Sequence, residues 1–229
     1  MKSIIVTGAT GGIGYETARY FCLNTDFQVF ALGRNEQKLN ALFQPHRFKN
    51  LKTIAIDFEK PFSSDNFSWL PEEVSILLNN AGMMLNKKFS DIYDEEWKKV
   101  YQVNFFSQVS LIRHVLPVMG KTGPAHIVNI SSMGGFQGSV KFKGLSAYAS
   151  SKAALANLTE LLAVELEDTN IRVNCLALGA VNTEMLKNAF PGYEALLNAD
   201  EMAKFIAEFA LNGHKYFNGK ILPVSLSTP

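Results

Sequence analysis

Cysteine is scarce in this chain of 229 residues: it has Cys22 and Cys175, far apart in sequence. Such usage argues against a disulfide framework. It fits a reducing cytoplasm, with both residues read as buried thiols. Charge of one sign is also missing, since 22 basic residues face 21 acidic ones for a net +1. That leaves no electrostatic case for nucleic acid or an anionic membrane surface as partner. Lysine pairs such as Lys87-Lys88 and Lys98-Lys99 read as solvated faces. The four histidines, His46, His114, His126 and His214, show no metal-ligand spacing, so no metal site is expected. No apolar run is long enough to cross a bilayer. Lys2 is followed by a short strand rather than an extended apolar region, so no signal peptide is expected. Repeats, low-complexity tracts and linkers are absent, which makes residues 1–229 a single domain.

What remains is an ordinary globular composition, 47% hydrophobic and 19% charged, on a chain long enough for a full α/β core. Strand and helix patterns alternate from end to end. Strands are expected at Ser3–Thr7, Gln28–Leu32, Thr53–Ile56, Ile76–Asn79, His126–Ser131, Arg172–Ala177 and Lys220–Val224. Most are continuous apolar runs, as parallel strands buried on both faces require. Helices are expected near 12–24, 35–43, 94–119, 148–168 and 199–211. The order predicts a doubly wound parallel α/β sheet of about seven strands between two helical layers, a Rossmann fold. Asp94 is read as the N-cap of the third helix. That helix has one apolar stripe of Trp97, Tyr101, Phe105 and Ile112 and another of Val100, Val103, Leu111 and Val115. The fourth carries Leu155, Leu158, Leu161, Leu162 and Leu166 on more than one side. Such helices need an outer cover, either a partner subunit or loops of this chain.

Two local patterns carry chemistry. Tyr148 and Lys152 stand four apart on a helix, so both point to one side. A nearby ammonium favours a phenolate, so the pair is expected to lower the tyrosine pKa and to exchange a proton with an alcohol or alkoxide. At the N-terminus, Ser3-Ile4-Ile5-Val6 runs into Thr7-Gly8-Ala9-Thr10-Gly11-Gly12-Ile13-Gly14 and then into a helix. Strand, glycine-rich turn and helix form the context of a dinucleotide fingerprint, in which backbone N–H groups approach a pyrophosphate at a helix N-terminus.

Further stretches stand in order along the chain. They are Asn79-Asn80-Ala81-Gly82, Val103-Asn104-Phe105, Ile127-Val128-Asn129-Ile130-Ser131-Ser132 and the Tyr148/Lys152 pair. Together they resemble the short-chain dehydrogenase/reductase family in its compact single-domain form, over nearly the whole chain. The resemblance implies an oxidoreductase that moves a hydride between a nicotinamide cofactor and a small carbonyl or alcohol substrate. It implies Tyr148 as proton donor and Ser132 as hydrogen-bond partner of the substrate oxygen. Lys152 would tune Tyr148 and bind the nicotinamide ribose, and Asn104 would hold a water in a proton relay. Cofactor contacts would come from Gly8, Thr10, Gly11, Gly12, Ile13, Gly14, Asp57, Phe58, Asn80, Ala81, Gly82, Gly179, Val181 and Thr183, besides Tyr148 and Lys152. It also implies a homodimer or homotetramer.

The second strand ends Ala31-Leu32-Gly33-Arg34. NAD enzymes usually carry an acid there for the adenosine ribose. With Gly33 at that position there is no carboxylate to repel a 2′-phosphate, and Arg34 could clasp one, which favours NADP(H) over NAD(H). The chain departs from the family at Leu178, where a proline is usual, and in its C-terminus, Leu222 to Pro229, which lacks the common glycine-rich ending. The segment 133–144, with Gly134, Gly135, Gly138 and Gly144 beside Phe136, Phe142, Lys141 and Lys143, is a wall of the substrate pocket or a surface loop. Two other functions compete. A catalytically inactive dinucleotide-binding regulator would be expected to lose some of Ser132, Tyr148, Lys152 and Asn104, and all four are present. An extended sugar-nucleotide epimerase needs a larger C-terminal domain than the roughly 45 residues after Thr183 supply.

Overall fold

The β-branched run at the N-terminus forms β1 (Ser3–Thr7), and every residue of it is buried. Its side chains alternate across the sheet. Ile4 and Val6 join one core with Val29, Ala31, Leu78, Val128 and Leu176, while Ile5 joins the other with Phe30, Leu32, Leu77 and Ile127. A strand that serves two cores must be apolar at every position, which is why the sequence shows runs rather than alternation.

The computed structural model describes residues 2–44 and 47–226, so His46 and the last three residues of the expected C-terminal departure lie outside it. The remaining strands are β2 (Gln28–Gly33), β3 (Leu51–Ala55), β4 (Val74–Asn79), β5 (Ala125–Ser132), β6 (Ile171–Leu178) and β7 (Ile221–Val224). All neighbours pair in parallel, in the order β3-β2-β1-β4-β5-β6-β7. The helices are α1 (Gly12–Asn24), α2 (Glu36–Phe43), α3 (Asp94–Tyr101), α4 (Ser107–Val115), α5 (Ser146–Glu165), α6 (Glu184–Ala189) and α7 (Ala199–Asn212). Phe21 of α1, Phe43 of α2 and Ile206 of α7 pack on one face; Leu111 and Val115 of α4 and Ala163 of α5 pack on the other. Each large apolar side chain so buried contributes about 1.5–3 kcal/mol.

The expected helix over 94–119 is interrupted. A π-helical stretch (Gln102–Phe106) joins α3 to α4, with Asn104 fully buried inside it. Inserted π turns of this kind re-aim a helix and cluster at functional sites. The N-cap is Tyr93 rather than Asp94, one residue earlier, and Glu96 Oε2 accepts the Tyr93 N–H at 2.9 Å. α6 is absent from the sequence expectation because six residues are too few for a periodic signal; Thr183 starts it, its Oγ1 accepting the Leu186 N–H at 3.2 Å. Leu178 does not open a loop. It ends β6 in register with both Ser132 and Val224, keeping a ladder N–H that proline would lack.

The strand order turns back between β1 and β4. Open parallel sheets offer a crevice beyond the strand ends at such a switch point. The glycine turn follows β1, and Asn80 follows β4, so both expected cofactor segments meet there.

Candidate active site

Asn80 and Thr7 lock the two sides of the crevice together. Thr7 Oγ1 accepts the N–H groups of Asn80 (2.9 Å) and Ala81 (2.8 Å), and Asn80 Nδ2 donates to Thr7 O at 2.9 Å. The price of this closeness is glycine at position 8. Its φ is +71°, and a Cβ there would lie 2.9 Å from both Ala81 Cα and Asn80 Nδ2. Asn80 and Ala81 thus hold the glycine turn in shape.

The start of α1 is left open. No side chain caps it, and its first turn contains no acid. Gly11 faces open space, while Gly12 faces the methyl of Thr183, which a Cβ would approach to 3.3 Å. Ile13 packs on the core, and Val181 is buried in it. Gly179 lies against Ser225, and its N–H donates to Val224 O at 2.9 Å. Uncapped N–H groups at a helix N-terminus beside open space, with no competing carboxylate, are the donor set a pyrophosphate needs. The residues present fit a dinucleotide.

At the end of β2 the geometry explains the missing acid. A Cβ at Gly33 would sit 2.5 Å from the Thr10 methyl, so no side chain fits there. Arg34 is well exposed and ion-pairs with Glu59, whose other oxygen holds Lys99 Nζ at 3.0 Å. The expectation of a site without a carboxylate is therefore corrected. Glu59 arrives from the loop after β3, 25 residues away, where adjacency in sequence gives no sign of it. Its carboxyl is held below the usual range by the Lys99 hydrogen bond first, against some burial, with Arg34 adding to it. Asp57 Oδ1 turns back to accept the Glu59 N–H at 3.0 Å. Phe58 brings a buried ring to the core, 5.5 Å from that of Phe62, and not an open face to the crevice.

Tyr148, Lys152 and Ser132 come together at the ends of α5 and β5. Tyr148 and Lys152 are both buried, one helical turn apart. Ser132 acts on the Tyr148 phenol, pulling its pKa down, and its Oγ accepts the Gly134 N–H at 3.1 Å. Its neighbour Ser131 points the other way, as alternation along a strand demands, and donates to the Lys152 carbonyl at 2.8 Å. Lys152 Nζ donates to Ile130 O at 2.8 Å. Burial pushes the Lys152 ammonium down to about 8. Burial also raises the Tyr148 phenol, with the Ser132 hydrogen bond pulling the other way. The expected lowering of Tyr148 by Lys152 is thus corrected: loss of water around the phenol raises it, Ser132 alone pulls it down, and the Lys152 ammonium is turned toward Ile130.

Gly82 fits between the functional groups, where a Cβ would lie 3.2 Å from Lys152 Nζ and 3.3 Å from Asn104 Oδ1. Asn104 is engaged with protein on both ends of its amide. Oδ1 accepts the Met83 N–H (2.7 Å), and Nδ2 donates to Met83 O (3.0 Å) and Ser151 Oγ (2.9 Å). Ser151 and Met83 are partners that the sequence reading missed. So is Asn86, whose Nδ2 donates to Ala189 O at 2.8 Å while its Oδ1 lies against Gly144. Lys87 N–H also donates to Gly144 O at 2.9 Å. The segments around residues 86, 144 and 189 are thereby stitched into one wall. Among the described residues no cluster of metal-binding side chains occurs, and no helix is long and apolar enough to cross a membrane.

Residues 2–194 match the family model described as short chain dehydrogenase. An uncharacterized oxidoreductase of Staphylococcus aureus is 28% identical over 221 residues, covering 95% of this chain and 94% of its own. A short chain dehydrogenase from Escherichia coli CFT073, solved in complex with NADPH, superposes with a TM-score of 0.87 at 26% identity, covering 97% and 95% of the two chains. A 4-hydroxyisoleucine dehydrogenase in complex with NADH gives 0.83 at 26% identity, over 98% and 97%.

Proposed function

The chain belongs to the short-chain dehydrogenase family of oxidoreductases, and from that premise we propose that it interconverts a carbonyl and an alcohol in a small molecule, with NADP(H) as its preferred cofactor. When bound, the nicotinamide supplies hydride to a carbonyl carbon or takes it from an alcohol carbon. The rest of the reaction belongs to this chain's side chains. Tyr148 gives its proton to the carbonyl oxygen in reduction and recovers it in oxidation. Ser132 donates to the same oxygen as charge gathers there. Lys152 stabilises the phenolate left on Tyr148; with a pKa of about 8 its ammonium is mostly charged at neutral pH. Asn104 acts as a positioning residue, fixing Met83 and Ser151 so that Gly82 and Lys152 stay aligned. The α1 N-terminus receives the pyrophosphate, and Arg34, with Lys99 beside it, receives a 2′-phosphate.

One observation carries this reading: Tyr148 and Lys152 lie buried one turn apart on α5, where the end of β5 brings Ser132, with Lys152 Nζ held on the Ile130 carbonyl of that strand. The test is twofold. Titration with NADPH and NADH should show binding of both and tighter binding of NADPH. A panel of aldehydes and ketones should then include some that oxidise NADPH, followed by its absorbance. Binding without oxidation by any carbonyl would favour a dinucleotide-binding regulator instead.

A further inference from the structure

A cavity of about 550 Å³ lies beside Ser132, between the β4–α3 and β5–α5 loops. That volume suits a small organic ligand. Phe89, Phe142 and Ala149 give it apolar walls. Lys88, Lys141 and Lys143 also line it, and no Asp or Glu does. Lys141 Nζ is pinned by Phe136 O at 2.6 Å, Ser139 Oγ at 2.8 Å and Gly134 O at 3.1 Å. All three acceptors are neutral, so they fix the ammonium without cancelling its charge. Lys88 and Lys143 have no ion-pair partner among the described residues, whereas the adjacent Lys87 is paired with Glu96 at 2.7 Å. All three lysines are exposed, so their mutual repulsion is small, but together they make a positive rim over apolar walls that favours an anion between them.

The cavity also connects to the reacting groups. Gly134 lines it, holds Lys141 through its carbonyl, and donates its N–H to Ser132 Oγ. Ser132 and Tyr148 do not line the cavity themselves, so a substrate whose anion meets the lysines must reach past Gly134 to present its carbonyl to them. We propose that the substrate is an anionic carbonyl or alcohol compound, an apolar body bearing a carboxylate or phosphate that Lys88 and Lys143 receive, with Lys141, its three donors already engaged, adding only its charge. The inference takes its reaction from the function proposed above, but its preference for an anion stands on the cavity alone.

Three probes test it: para-carboxybenzaldehyde, its methyl ester, and para-formylphenyl phosphate. Binding to the NADPH-loaded protein is measured by calorimetry, and turnover by NADPH absorbance, both at low salt. At least one anion is expected to bind roughly tenfold more tightly than the ester, a difference that shrinks as salt rises. Whichever anion leads identifies the group. The Lys88→Ala/Lys143→Ala double variant should bring the ratio to about twofold or less. An ester that binds as well as both anions, failure of both anions to bind, or a preference untouched by the double variant would overturn the proposal. Anion-selective binding with no NADPH oxidation by any probe would count against the redox reading and leave the anion site standing.

Discussion

The carboxylate of Glu59 closes on the guanidinium of Arg34, the same group that a 2′-phosphate would need. Glu59 also holds Lys99, so two cations share one carboxylate, and a net positive charge remains. An exposed pair of this kind is worth at most about 1 kcal/mol, a small barrier to exchange. We therefore expect Arg34→Ala to weaken NADPH binding roughly tenfold and to leave NADH nearly unchanged. Glu59→Gln should move NADPH the other way, tightening it. Fluorescence titration of the four combinations checks this. Equal NADPH and NADH affinities in the wild type would remove Arg34 from the role.

Gly144 sits at φ +86° with the Asn86 oxygen 2.0 Å from where a Cβ would be. Alanine there meets both an unfavourable backbone angle and a side-chain collision. Gly144→Ala should cost about 1–3 kcal/mol in urea unfolding, and adding Asn86→Ala should recover part of it. Additive losses from the two changes would show that the wall is not coupled at this point.

Acid stability has an identifiable source in His126. It is buried, with Nδ1 on the Ala210 carbonyl at 3.0 Å and Nε2 against Asn174. Burial, assisted by the nearby His214, pushes it down from 6.5 to about 4. A depressed histidine leaves its stabilisation complete above the unfolded value and loses it as pH falls toward the folded one. From pH 6.5 to 4 the unfolded chain takes up the proton first, so stability drops by an amount on the order of 3 kcal/mol from this group. His126→Gln should flatten that part of the profile in denaturant titrations. An unchanged slope would assign the acid loss elsewhere.

Much of this architecture was legible because its signals are dense and local. All seven strands were found within two residues of their starts; burial on both faces leaves mostly apolar runs in the inner strands, while β3 and β7 at the sheet edges are only partly buried. The glycine turn and Asn79-Asn80-Ala81-Gly82 are each contiguous and Tyr148 stands one helical turn from Lys152, so each motif shows in the sequence by itself, while the sheet order brings Thr7 to Asn80. What stayed hidden depends on partners distant in sequence. Glu59 reaches Arg34, Asn86 reaches both Gly144 and Ala189, and Asn104 reaches Met83 and Ser151, and none of these pairs leaves a periodic trace. The direction of the Tyr148 shift was also hidden, because burial decides it and only packing sets burial.

The apolar stripes of α3 to α5 are only partly used by the sheet. Val100, Leu111 and Leu155 are buried, but Phe106 and Leu161 are each 53% exposed and Val164 is 66% exposed. No described loop covers them, which favours the partner subunit over the intramolecular cover. Sedimentation at micromolar concentration should give at least a dimer, and Phe106→Glu with Leu161→Glu should shift it toward monomer. A wild-type monomer would contradict this.

Everything proposed for the reaction passes through the proton on Tyr148. The most direct measurement is NADPH oxidation by Tyr148→Phe, set beside its NADPH affinity and its unfolding midpoint. The account predicts a folded protein that binds NADPH within a few-fold of wild type and turns over at least about a hundredfold more slowly, the usual worth of a positioned proton donor. Near-wild-type turnover by that variant would contradict it.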